Sequence, residues 1–212
     1  RRARRDGREL VGVWASMREI AGVPAKVTVD LLVPDALGGA GRRAARVPRH
    51  EKGSMLKVHG LEAALVDNSV MRIGALEETD DRSFEMKVAG PTALLISKTI
   101  KLSERVAAGA LERGRRDRVK PKDALDVLRL LQAIPSARLA QGFEGLLTDE
   151  IAGPVAAEAL RSLPDLFGGI GSPGSQLAAE AAAPEPPDVI TASCAALCRE
   201  VLDALRALGV DA

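Results

Sequence analysis

Two polar clusters lie 25 positions apart in this chain and could act on phosphates. One is Lys98 with Lys101 and Arg105, within Gly90-Pro-Thr-Ala-Leu-Leu-Ile-Ser-Lys98-Thr-Ile-Lys101-Leu-Ser-Glu-Arg105; the other is Asp123 with Asp126, within Lys120-Pro-Lys-Asp123-Ala-Leu-Asp126. The three cations share a face by i, i+3 and i+7 spacing, so several positive charges can meet one triphosphate. The bland alternative is a solvated helix surface. For Asp123 and Asp126 the alternative is stronger, because acids in the first turn of a helix complement its dipole without any further role. Asp30 is the third candidate. A carboxylate inside Val27-Thr-Val-Asp30-Leu-Leu-Val must stay solvated, find a partner or bind a cation. It reads either as a solvent-facing strand residue or, if it faces a cleft, as a general base or a ligand for a hard cation such as Mg2+.

The elements that must position these residues follow from periodicity. Residues 8–21 place Leu10, Val13 or Trp14, Met17 and Ile20 or Ala21 at helical spacing, and Gly22 with Pro24 stops that helix. Lys26 to Val33 reads as a strand closed by Pro34. Gly38-Gly-Ala-Gly41 and the basic stretch to Gly53 read as a loop. Leu56 to His59 and Ser69 to Leu76 read as short strands, Leu61 to Val66 as a helical turn or short helix, and Phe84 to Val88 as a strand ending at Gly90-Pro91, where a helix begins. In that helix Leu95, Thr99, Leu102 and Val106 form an apolar stripe beside the basic one. A second helix starts near Pro121, and residues 136–163 and 188–209 are helical, separated by a Gly/Pro-rich linker. The expected class is α+β: a mixed-sheet part over residues 1–90 and a helical domain over 91–212.

Composition supports a folded, soluble chain: 46% of the 212 residues are hydrophobic and the formal charge is +1. Local charge is uneven, with Arg1-Arg2-Ala-Arg4-Arg5 and a second run at Arg42, Arg43, Arg46 and Arg49. Such patches fit a polyanion such as RNA or a nucleotide, or are solvated tail and loop arginines. Cys194 and Cys198, four apart on a predicted helix, lack the two-plus-two grouping of a zinc site and read as buried thiols in a reducing compartment. His50 and His59 have no ligand cluster around them. No apolar run approaches a membrane span or a signal peptide, so the expected location is the cytoplasm. Gly169-Ile-Gly171-Ser-Pro-Gly174 spells a dinucleotide-loop pattern but follows Leu-Pro-Asp-Leu-Phe instead of a strand. The first residue, Arg1, is not methionine, which points to an upstream part of the protein beyond this chain.

Taken in order, a strand aspartate, then Val-x-x-Pro-x-x-Leu-Leu-x-x-Lys98 with Arg105, then Lys122-Asp123-x-x-Asp126 leading into Leu-x-x-Leu-Leu, resembles the AbiEii and MenA group of nucleotidyltransferase-like toxins over residues 25–210. The resemblance implies a nucleotidyltransferase-like mixed sheet followed by helices, and transfer of a nucleotidyl group from an NTP to an acceptor, with tRNA the expected one. It implies catalytic roles for Asp30, Lys98 and Asp123, nucleotide contacts from Lys98, Lys101, Arg105 and Asp126, Mg2+ held in part by Asp30, and a cognate antitoxin as protein partner. The family's Gly-Ser turn followed by an Asp-x-Asp strand has no counterpart here: Gly53-Ser54 is followed by Asp67-Asn68-Ser69. The chain alone is therefore expected to lack half of the site. The other class of function is a non-catalytic protein that binds nucleotide, RNA or another protein, and a purely structural helical module is the third.

Overall fold

The computed structural model describes residues 1–20, 22–75, 79–111 and 120–210, with side chains for all of these except 108–111. The chain is a mixture of α and β, and it divides into two compact units, Arg1–Leu61 and Glu62–Ala212.

The first unit is built from strands. β1 (Arg2–Arg5), β2 (Arg8–Ile20) and β3 (Val23–Asp30) form an antiparallel sheet in that order, while β4 (Leu32–Pro34) pairs in parallel with β5 (Leu56–Val58). Asp6 and Gly7, both at positive φ, turn β1 into β2, the backbone that an Asp-Gly hairpin adopts. The N-terminal arginine run is therefore a strand, with Arg2 held 3.0 Å from Glu9 and 3.3 Å from Glu51.

The helix expected over residues 8–21 is instead β2; Ala21 lies outside the described residues. Helix propensity is a weak prior, and a β-branched neighbour able to form a ladder overrides it. That neighbour is β3, which pairs with β2 from Val13↔Asp30 to Ile20↔Val23, the hairpin closing at Gly22 with φ +77°. Gly22 and Pro24 thus turn a strand and continue into the next one.

The single strand expected over 26–33 is divided at Leu31. There the chain leaves β2 for β5: Leu31 N–H donates to Gly12 C=O at 2.7 Å and Leu56 N–H donates to Leu31 C=O at 2.9 Å. Gly12, at φ +74°, is the kink in β2 that permits this close approach. The loop at Gly38–Gly41 is tied down by Lys57, whose ammonium donates to the carbonyls of Gly39 and Gly41 and pairs with Asp35 at 2.9 Å.

The second unit opens with a 3-10 turn, Glu62–Leu65, and an antiparallel ribbon of β6 (Asn68–Gly74) and β7 (Ser83–Ala89). The expected end of β6 at Leu76 lies outside the described residues. Helices α1 (Pro91–Leu111), α2 (Pro121–Ala133), α3 (Ser136–Leu147), α4 (Gly153–Phe167), α5 (Pro173–Ala181) and α6 (Pro187–Ala207) follow. Their apolar faces converge on one core that includes Leu95, Ile100, Leu128, Phe143, Leu163 and Phe167. The 3-10 turn packs against α1 and α4, which places the ribbon and turn with the helices and puts the division of the chain at Leu61 instead of residue 90.

The Gly/Pro-rich linker contains a helix, α5, and the dinucleotide-loop pattern is part of its packing. A Cβ at Gly174 would lie 2.6 Å from the Leu166 carbonyl oxygen and 2.8 Å from the Phe167 ring, so glycine lets α5 approach α4. Among the described residues no helix is long and apolar enough to cross a membrane.

Candidate functional site

Helix α1 begins with proline at its first position, and its start is fixed from outside. The Asp67 carboxylate accepts the Ala93 N–H at 2.8 Å, and the Asp67 carbonyl accepts the Gly90 N–H at 2.8 Å. An acidic side chain at a helix start satisfies an otherwise orphaned donor and favours the dipole. Any Cβ at Gly90 would fall 1.8 Å from the Asp67 Oδ1, so the clasp requires glycine there.

From this anchored start, the apolar stripe read from the sequence turns inward: Leu95, Thr99 and Leu102 are buried and Val106 packs against the core. The adjacent face carries Lys98, Lys101 and Arg105 to α2. There the two acids meet them. Lys98 Nζ donates to Asp126 Oδ2 at 2.7 Å and reaches Asp123 Oδ1 at 3.4 Å; Lys101 Nζ donates to Asp123 Oδ1 at 3.0 Å, and Arg105 Nη1 to Asp123 Oδ2 at 2.5 Å. Arg129, one turn along α2, stands 3.8 Å from Asp126. The structure thus brings together five of the six candidate residues in one ion-pair network.

Asp123 is the surprise in this group. Expected at a solvent-facing helix start, it is 2% exposed, and both carboxylate oxygens are occupied by cations of α1. Burial disfavours its charge, but the hydrogen bond from Lys101 and the fields of Lys101, Lys98 and Arg105 outweigh that and hold its carboxyl below the ordinary aspartate range. Burial likewise works against the Lys98 ammonium, yet the hydrogen bond to Asp126 and the charges of Asp126 and Asp123 raise its pKa above the ordinary lysine value. Both shifts favour the charged forms of Asp123 and Lys98.

Among the described residues four cations serve two carboxylates here, so positive charge is in excess. Lys101 is 41% exposed, Arg105 29% and Lys98 27%. An ammonium has three donors and a guanidinium five, so each cation keeps donors beyond those given to the aspartates. The network can therefore present oriented donors to an anion without breaking its own bonds.

Asp30, the sixth candidate, belongs to the first unit, at the exposed end of β3, and its carboxylate has no ion-pair partner among the described residues. The fit of Mg2+ can be judged from the donors present. Hard cations take carboxylate and other oxygens, and among the described residues no group of three or more His, Cys, Asp or Glu is placed to hold a metal ion. Asp123 already serves three cations and Asp126 two. The described donors do not by themselves make a magnesium site.

The other sequence candidates fall outside this cluster. Cys194 and Cys198 are buried free thiols, both pushed up by burial, Cys198 to about 11, and so are inert at neutral pH. His50 is exposed. The N-terminal arginines line a cleft of about 500 Å³ in the first unit, formed by Arg1, Arg2, Arg4, Lys26 and Glu9 with Met17 at its wall.

Sequence reasoning missed that the cations and acids are each other's partners. The signal was present: opposite charges at matching i, i+3 spacing on consecutive amphipathic segments. It also missed Asp67, because a cap supplied from 26 residues upstream leaves no local pattern. Comparison of the chain with protein-family models, with curated proteins and with solved structures gave no match.

Proposed function

We propose that the chain is the nucleotide-facing portion of a nucleotidyltransferase-like toxin of the AbiEii and MenA type, and that Lys98, Lys101 and Arg105 bind the phosphates of an NTP. The observation that carries this reading is the group of three α1 cations, oriented by a buried carboxylate and left with spare donors. A surplus of positive charge at a half-buried surface favours a polyanion over a neutral ligand.

In the proposed transfer, an acceptor hydroxyl, with tRNA as the expected substrate, attacks the α-phosphorus. The new oxygen–phosphorus bond forms as the bond to the pyrophosphate oxygen breaks. Lys98 neutralises charge on the departing pyrophosphate, aided by Lys101 and Arg105, which is catalysis by positioning and electrostatics. Asp123 and Asp126 act through the cations they hold and are positioning residues. The hydroxyl proton passes to a carboxylate base, the role that the family resemblance implies for Asp30. The sequence has no Gly-Ser turn followed by the Asp-x-Asp that the family resemblance calls for, so turnover would require those elements from elsewhere. An antitoxin protein is the partner that a toxin of this type would have.

One observation favours a second reading, a non-catalytic protein whose α1–α2 network binds nucleotide without turning it over or only staples two helices. Both oxygens of Asp123 are taken by the chain's own cations, as a staple requires.

Calorimetric titration with ATP and GTP separates these. Nucleotide binding predicts heat from the unaltered chain and at least a tenfold weaker affinity in Lys98→Ala, since a charge-assisted contact is worth about 1.5–3 kcal/mol. Absence of heat leaves the staple alone. Incubation with labelled NTP, Mg2+ and total RNA then tests transfer: label on RNA supports the toxin reading, and binding without label supports the non-catalytic one.

A further inference from the structure

The β6–β7 ribbon has an unusual distribution of side chains. The strands pair as Met71↔Met86, Arg72↔Glu85 and Ile73↔Phe84, and directly opposed residues share a face. One face therefore shows Met71, Ile73, Phe84 and Met86, all at least 44% exposed, and the other shows Val70, Arg72, Glu85 and Lys87. A two-stranded ribbon is marginal on its own, and among the described residues no further strand pairs with either edge of this one.

The hydrogen bonding fixes which groups the open edge of β7 offers. Gly90 N–H donates to Asp67 C=O and Ala75 N–H to Arg82 C=O, so even-numbered residues of β7 direct their backbone groups toward β6. Odd-numbered residues, Glu85 and Lys87 among them, direct theirs outward. Among the described residues neither has an ion pair or a further backbone partner. Such an edge is a template for another strand.

We propose that the outer edge of β7 pairs antiparallel with the same edge of a second copy of this chain, about a two-fold axis at Met86. Charge selects both the occupant and the register. An antiparallel pair must match outward-facing residues with outward-facing residues, so the register moves in steps of two. Centring on residue 85 sets Glu85 against Glu85, and centring on residue 87 sets Lys87 against Lys87. Centring on Met86 sets each Glu85 opposite the other copy's Lys87, and the reverse, as an isologous interface requires. On the second face the same register lays Met86 beside Met86 and Phe84 beside Val88, so apolar neighbours meet. The ribbons become one four-stranded sheet. In it Glu85 lies between Arg72 of its own chain and Lys87 of the partner copy.

Sedimentation of the whole chain over a range of concentrations tests this, with Lys87→Glu and Glu85→Lys as variants. The chain is expected to dimerise reversibly, and Lys87→Glu to weaken the dimer about tenfold or more, because two opposed like-charge pairs replace two attractive ones. Mixing Lys87→Glu with Glu85→Lys is expected to restore association, which a mere loss of folding in either variant would not allow. A cysteine pair reads the register: Met86→Cys sets opposed residues within disulfide reach, whereas Glu85→Cys sets them on a diagonal beyond it. The natural cysteines are buried and stay silent in that assay. A chain that stays monomeric at every concentration overturns the proposal and leaves the edge to a partner of another kind. Indifference of the dimer to Lys87→Glu, or cross-linking at 85 as ready as at 86, overturns it equally.

Discussion

In the unit Glu62–Ala212, Leu95, Ile100, Phe143, Leu163 and Phe167 are fully buried among six helices. In Arg1–Leu61 the buried apolar side chains among the described residues are Ala3 and Ala45, while Met17, Ile20, Val23 and Val29 stand in solvent. One unit is held by side chains excluded from water, the other by backbone ladders with a few polar ties, namely Trp14 to the Ser54 carbonyl, Arg2 to its glutamates and Lys57 to its loop. The difference teaches where each is vulnerable. A helical core yields to a lost side chain, and a strand assembly yields to a backbone that cannot take its required path.

The comparison can be broken at several points. Phe143→Ala empties a site sealed on all sides and is expected to cost the helical unit about 3–5 kcal/mol, read from urea unfolding followed by helical circular dichroism. Gly12→Ala attacks the strand unit instead. Its Cβ would lie 2.7 Å from Leu56 and 2.9 Å from the Leu31 carbonyl, at a positive φ that alanine resists. A local loss of about 3 kcal/mol is expected, seen as faster amide exchange in β3 and β5 with the helices unchanged. Loosening of α1 to α6 in that variant would erase the distinction between the units.

Asp123→Ala tests whether a polar network in the helical unit behaves like core. About 2 kcal/mol is expected, less than for a fully buried pair because the freed cations can turn to water. The pH profile carries the same information with a definite sign. The Asp123 pKa is lowered on folding, so its contribution is present above the unfolded value near ~4 and is lost as pH falls through the lower folded one. Asp123→Ala should therefore flatten the acid limb of stability. The Lys98 pKa is raised, so its contribution persists at neutral pH and disappears only as pH climbs through the folded value, above the ordinary lysine pKa. At the small end, Arg129→Ala removes an exposed cation 3.8 Å from Asp126 and should change stability by under about 0.5 kcal/mol.

The helical unit was the more legible one, for the same physical reason that it is the better packed. Proline at 91 and 121 marks two helix starts, and the stripe Leu95, Thr99, Leu102, Val106 is a burial pattern that a helix must satisfy by itself. β2 was misread because Leu10, Val13, Met17 and Ile20 fit a helix as well as a strand, and the deciding partner, β3, lies beyond a turn whose glycine carries no asparagine or aspartate before it. Residues of the site were legible by charge and spacing. Their mutual pairing was only hinted at by the matching i, i+3 spacing of opposite charges, since which charges meet depends on how α1 and α2 pack and not on either segment alone. The buried state of Asp123 follows from that packing and reverses what a first-turn aspartate suggests.

The clasp at Asp67 has a mechanical meaning. Its carbonyl and carboxylate grip Gly90 and Ala93, so the open end of the β6–β7 ribbon and the first turn of α1 are riveted together with no slack between them. Glycine at 90 leaves no side chain to act as a spacer. A load applied to β7 would thus pass through this clasp into the first turn of the helix that bears Lys98, Lys101 and Arg105, like a handle welded to a shaft. Whatever grips the ribbon also holds the start of the helix that carries these three cations.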